Sequence, residues 1–143
     1  RNFERAEAMG ADARAAQCEI VLLPECFDLG WTHPSCLSEA QPIPGCYSDR
    51  LCDMGQKHGI HICAGLTEQR GDAVFNTAIL VDDTGDILLK YSKINILDVA
   101  FPMYGIGDSL SVVVTKFGKV GVNICSDNYG DALDIDICEN IFT

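Results

Sequence analysis

Apolar positions recur at three- and four-residue steps over residues 1–17, at Phe3, Ala6, Met9, Ala13 and Ala16, with charged residues between them. That period predicts an amphipathic helix, weakened at Gly10. Residues 19–23 form a short apolar run stopped by Pro24, so a buried strand is expected to end just before Glu25. Residues 26–45 hold Gly30, Pro34, Pro42, Pro44 and Gly45, a loop composition. A second helix is expected over residues 47–58, closed by Gly59.

Beyond Gly59 the period shortens to two. Residues 60–66 and 74–81 are predicted strands, the second with Phe75, Thr77, Ile79 and Val81 on one face. Asp82-Asp83-Thr84-Gly85 predicts a turn that folds residues 87–93 back as a hairpin. Residues 94–108 are expected to be irregular. Strands are then expected over residues 109–114 and 119–125, joined by Thr115-Lys116-Phe117-Gly118. In the last, Val120, Val122 and Ile124 share one face and leave Gly121, Asn123 and Cys125 on the other. Helices alternating with strands early, and hairpins later, predict an α/β fold with helices packed on a mixed sheet. No internal repeat or low-complexity tract divides the 143 residues, a length that suits one domain.

Composition narrows the partners. Ten Lys and Arg against 21 Asp and Glu give a net charge of −11. Such a field repels nucleic acid and anionic lipid surfaces, and no basic stripe opposes it. No apolar run approaches the roughly 20 residues of a membrane span, and no secretory signal is visible. Of eight cysteines, Cys63 and Cys125 sit inside apolar runs, where free thiols pack as small hydrophobes. A reducing, cytoplasmic setting with eight free thiols is therefore expected. No pair has Cys-x-x-Cys spacing, and His58 and His61 lie where a turn enters a strand, so no metal site is expected.

Glu25, Lys93 and Cys125 all fall at or next to predicted strand ends, where many α/β sites lie. Thiol chemistry on a carbonyl or nitrile needs a cysteine held as thiolate, a base for its proton and a cation or N–H donors for the developing charge. Cys125, Glu25 and Lys93 supply these types. Taken singly, each has an ordinary explanation as a core cysteine, a loop glutamate and a surface lysine. A Cys–His hydrolase is the rival, but His33, His58 and His61 all precede Cys125 in contexts that do not support it.

The strings LLPECF, HICAGLTE, VFNTAILVDDTGDILLKYSKINIL and VVTKFGKVGVNICSDN occur in that order. Together they resemble the nitrilase, or carbon–nitrogen hydrolase, superfamily over roughly residues 5–130. The resemblance implies that Glu25 is the base, Lys93 the oxyanion stabiliser and Cys125 the nucleophile; in the mechanism expected from them, the Ser126 backbone N–H joins Lys93 at the oxyanion, and Asn76 and Asn128 take supporting places, each with an equal ordinary explanation as a turn or strand-edge residue. It implies an α-β-β-α sandwich, present in part: the first strand is expected before Arg1 and the second half after Cys125. It also implies a dimer or larger assembly through the helical layer and no metal or organic cofactor. The reaction implied is hydrolysis of a small-molecule amide, nitrile or N-carbamoyl bond through a Cys thioester. The alternative is a non-catalytic relic or assembly module of the same fold. Two features depart from the family pattern. The sequence of residues 129–143 does not read as the helix and strand expected there, and Ala100, with Asp98 nearby, stands where many members carry a further Glu.

Overall fold

A computed structural model describes residues 1–128. Its elements are α1 (Asn2–Ala15), β1 (Ile20–Leu22), α2 (Cys36–Glu39), α3 (Cys46–His58), β2 (His61–Arg70), β3 (Ala73–Val81), β4 (Ile87–Ser92), β5 (Val112–Thr115) and β6 (Gly118–Gly121), with 3-10 turns at Asp98–Ala100 and Cys125–Asn128. The first four strands form one sheet in the order β1-β2-β3-β4, parallel at β1–β2 and antiparallel elsewhere. β5 and β6 form a separate antiparallel pair.

Both faces of the central strands are covered. On one face Ile62, Ala64, Leu66, Ile79 and Val81 pack against Ala6 of α1 and Leu51 and Met54 of α3. On the other, Ala78, Leu80, Leu89 and Tyr91 pack against Val113, Val120 and Ile124. The described layers are therefore helix, sheet and second sheet. This arrangement explains why residues 74–81 bury both alternating sets.

Three local findings revise the sequence reading. In α1 the buried positions are Ala6 and Gly10, while Met9 is exposed. Gly10 is therefore a packing position: a Cβ there would touch the Met54 side chain at 3.4 Å. β2 runs four residues further than Leu66, because Arg70 pairs with Ala73 across a two-residue turn with Gly71 at φ 59°. The last strand ends at Gly121, so Cys125 sits in the 3-10 turn beyond it. Val120, Val122 and Ile124 do face inward as expected.

Other expectations hold. Gly59 closes α3 in the left-handed conformation, and the α3 start is capped by the Gly45 N–H donating to Ser48 Oγ at 2.8 Å. Asp82 Oδ1 accepts from the backbone N–H groups of Thr84 and Asp86, which shapes the turn into β4. Residues 129–143 lie outside the described part. Among the described residues, no helix is long and apolar enough to cross a membrane.

Candidate active site

After β1 the chain keeps following β2. Leu23 N–H donates to Cys63 O, Gly65 N–H to Pro24 O, and Phe27 N–H to Gly65 O. Gly65 lets this happen, because any Cβ on it would collide with the Glu25 and Cys26 backbone. Cys26 then turns the chain away with φ 45°. Glu25 is thus held at the tip of the parallel strand by backbone bonds on both sides.

Lys93 follows β4 directly. Its N–H donates to Asn76 O at 2.9 Å, and its carbonyl accepts from Gly107 N–H at 2.8 Å. The side chain is only 2% exposed and its ammonium lies 3.2 Å from Glu25 Oε2. Asn76 Nδ2 donates to the same oxygen at 2.7 Å. A buried ammonium is costly unless paired, so this carboxylate is what makes the Lys93 position tenable. Glu25 Oε1 accepts no hydrogen bond from a described residue, and neither does the buried Asn76 Oδ1. One carboxylate oxygen is therefore anchored twice and the other is free.

Cys125 is exposed and has φ 46°, a left-handed conformation that costs a non-glycine residue about 1–2 kcal/mol. Among the described residues, Cys26 and Cys125 are two of the four non-glycine residues with positive φ, and both lie at the candidate site. Cys125 and Glu25 line one cavity of about 390 Å³, with Leu22, Leu23, Leu80 and Val122 among its apolar walls. Lys93 does not line it and meets it only through Glu25. No hydrogen bond joins the Cys125 thiol to Glu25 or Lys93. The structure therefore brings Glu25, Lys93 and Asn76 into direct contact and sets Cys125 on the same cavity.

The remaining candidates sit around the nucleophile turn. Ser126 is buried and its hydroxyl donates to Asn95 O. Asn128 is exposed and donates to Cys125 O at 3.1 Å, so it braces the turn and does not contact the Glu25–Lys93 pair. Asp98 is exposed, and Ala100 is buried with Cys26, Cys36 and Tyr104 in an apolar cluster, so neither replaces a further carboxylate at Lys93. Sequence reasoning passed over Asp127 and Gly65. A glycine inside an apolar strand is a recognised sign of close backbone approach, whereas nothing local marks Asp127.

Among the described residues no cluster of three His, Cys, Asp or Glu is placed to hold a metal ion. The seven described cysteines are free thiols. Burial, opposed by bonds from Tyr104 and Thr67, pushes the Cys26 thiol up to about 12, so it is inert beside the site.

The sequence model of the carbon-nitrogen hydrolase family matches residues 1–133. The chain is 32% identical to omega-amidase NIT2 of Xenopus tropicalis over 136 residues, covering 88% of this chain and 49% of that protein. It is 32% identical to a nitrilase of Pyrococcus abyssi over 141 residues, covering 89% and 50%. Among solved structures, a double mutant of an amidase from Nesterenkonia sp. AN1, in complex with acrylamide, superposes with a TM-score of 0.78 at 19% identity, covering 88% and 50%. The chain belongs to the carbon–nitrogen hydrolase family, and its fold is that of the nitrilase superfamily in part. It spans about half the length of the curated relatives it matches.

Proposed function

We propose that this chain carries the Glu25-Lys93-Cys125 machinery of a thiol hydrolase that cleaves small amide, nitrile or N-carbamoyl compounds through a Cys thioester. The observation that supports it most is the Glu25–Lys93 pair, buried on the lysine side, opening through Glu25 onto a cavity shared with Cys125. Relatives named omega-amidase and nitrilase support the amide and nitrile classes.

In this reading Glu25 takes the Cys125 proton on its free Oε1, and the thiolate attacks the carbonyl carbon. Lys93 and the Ser126 backbone N–H stabilise the oxyanion. Glu25 returns the proton to the leaving nitrogen, and ammonia or an amine departs as the C–N bond breaks. A water deprotonated by Glu25 then hydrolyses the thioester, releasing the acid and restoring the thiol. A nitrile takes up one further water before ammonia leaves. Asn76 fixes the Oε2 edge of Glu25 so that the other edge faces the thiol. Self-association through the helical layer and a reducing cytoplasmic setting belong to the same proposal.

A non-catalytic relic or assembly module is the second reading, favoured by the apolar walls of the cavity. Iodoacetamide labelling followed by peptide mapping separates the two. The hydrolase reading expects Cys125 to react well ahead of Cys18 and Cys46, which are also exposed. Equal rates at all three would overturn it.

A further inference from the structure

Asp127 is 1% exposed, and its carboxylate receives three donors. Tyr91 Oη donates to Oδ2 at 2.7 Å, Ile124 N–H to Oδ2 at 3.0 Å, and Asn95 N–H to Oδ1 at 2.8 Å. Tyr91 and Asn95 stand two residues before and two residues after Lys93. Ile124 immediately precedes Cys125. The side chain thus grips the segment that carries the lysine at both ends, and the turn that carries the cysteine at its start.

We propose that Asp127 is a positioning residue that fixes Lys93 and Cys125 relative to each other. The proposal rests on the roles assigned to those two residues above. Local turn closure explains only the bond from Ile124. The bonds from Tyr91 and Asn95 reach 36 and 32 residues back along the chain, and a 3-10 turn does not need them. Ser126, donating to Asn95 O, adds a parallel link between the same two segments.

The chemistry requires a carboxylate. All three partners donate, and two are backbone N–H groups that cannot reverse. Asparagine offers one accepting end and one donating end, so it sets an N–H against an N–H at one side. Burial, and then Asp127 itself, push the Tyr91 phenol well above its ordinary value, so it remains a donor. Without the grip, Cys125 keeps its exposed, left-handed turn but loses its fixed placement beside the lysine segment.

The test uses the 143-residue chain with Asp127→Asn and, separately, Tyr91→Phe. Two quantities are measured: amide exchange at Asn95 and Ile124, and the rate-against-pH profile of Cys125 alkylation, with Cys18 and Cys46 as references. Asp127→Asn is expected to speed exchange by about tenfold at whichever of the two amides meets its donating end. It is also expected to slow Cys125 alkylation by about tenfold and move its profile to higher pH, with the references unchanged. Tyr91→Phe gives a smaller change in the same direction. Unchanged exchange overturns the grip, and faster exchange with an unmoved Cys125 profile overturns the positioning role. If Asp127→Asn unfolds the chain, seen as rapid labelling of the buried Cys26 and Cys36, Tyr91→Phe decides by the same two criteria. If Cys125 in the parent chain reacts no faster than Cys18 and Cys46, the hydrolase reading fails, while the exchange data still decide whether Asp127 joins the two segments.

Discussion

The Lys93 ammonium and the Glu25 carboxylate meet at 3.2 Å with the lysine sealed from solvent, although 68 residues separate them along the chain. Removing only the carboxylate strands a charge. Glu25→Ala is expected to destabilise the fold by about 3 kcal/mol or more in urea denaturation, because Lys93 loses its pair in a buried place. Glu25→Ala combined with Lys93→Met should recover part of that loss. A double variant no more stable than Glu25→Ala alone would show that the pair contributes nothing to the fold.

Gly65 holds the Glu25 backbone against β2, and no side chain fits there. Gly65→Ala should lower stability by about 1–3 kcal/mol through overpacking and displace Glu25. Peptide mapping after brief iodoacetamide treatment should then show Cys125 slowed towards the rates of Cys18 and Cys46. A variant with unaltered Cys125 labelling and melting temperature would contradict the close approach.

Cys125 occupies a backbone conformation that suits glycine. Cys125→Gly should therefore be at least as stable as the parent, despite the added freedom of the unfolded chain. Thermal melts check this, and a loss greater than about 1 kcal/mol would argue against the left-handed turn. The same variant should give no alkylated peptide over residues 120–128.

Glu68 is a buried carboxylate with Lys90 at 2.7 Å and Arg70 at 2.6 Å, and Thr77 Oγ1 donates to it at 2.8 Å. Burial pushes its carboxyl up, but these three partners together outweigh burial and hold it below its ordinary value of 4.5. A carboxyl lowered in the folded state stabilises the fold above the unfolded value, and that contribution is lost as pH falls from about 4.5 through the folded value. Urea midpoints measured from pH 6 down to pH 3 should fall across that range. Glu68→Gln should start lower and fall less steeply, and parallel curves would exclude Glu68 as a source of the slope.

Turnover demands more support than the described site carries, because reacting groups must be held to a fraction of an ångström by rigid neighbours. The 143-residue chain alone is expected to release little or no ammonia from small amides, nitriles or N-carbamoyl compounds. A chimera that continues from Asn128 with the remainder of the Pyrococcus abyssi nitrilase should release it. Cys125→Ala should abolish that release, and Lys93→Ala should cut it by about 10²–10³-fold or more. Ammonia release that survives Cys125→Ala would remove Cys125 from the mechanism.

Much of this molecule was legible in one dimension. Gly59 marked the end of α3, the Asp82-Asp83-Thr84-Gly85 turn marked the β3–β4 hairpin, and period-two patterning around Thr115-Lys116-Phe117-Gly118 marked the β5–β6 pair, because these signals lie close together in sequence. Ordered short strings singled out Glu25, Lys93 and Cys125 as candidates, because those residue types stand in distinctive local contexts. What the sequence could not decide depended on contacts between distant segments. The packed face of α1 centres on Gly10 because Met54 comes close there, and no property of the helix alone chooses that face. The end of β2 at Arg70 was set by its pairing with Ala73, and the end of β6 at Gly121 was set by where the β5 partner stops. Tertiary structure alone gave the buried Lys93 its counter-charge, left one Glu25 oxygen without a described donor, and gathered Tyr91, Asn95 and Ile124 on Asp127. An ion pair across 68 residues, or a carboxylate that takes three donors from two distant segments, leaves no periodic trace, since its energy comes from burial and geometry that exist only once the chain is folded.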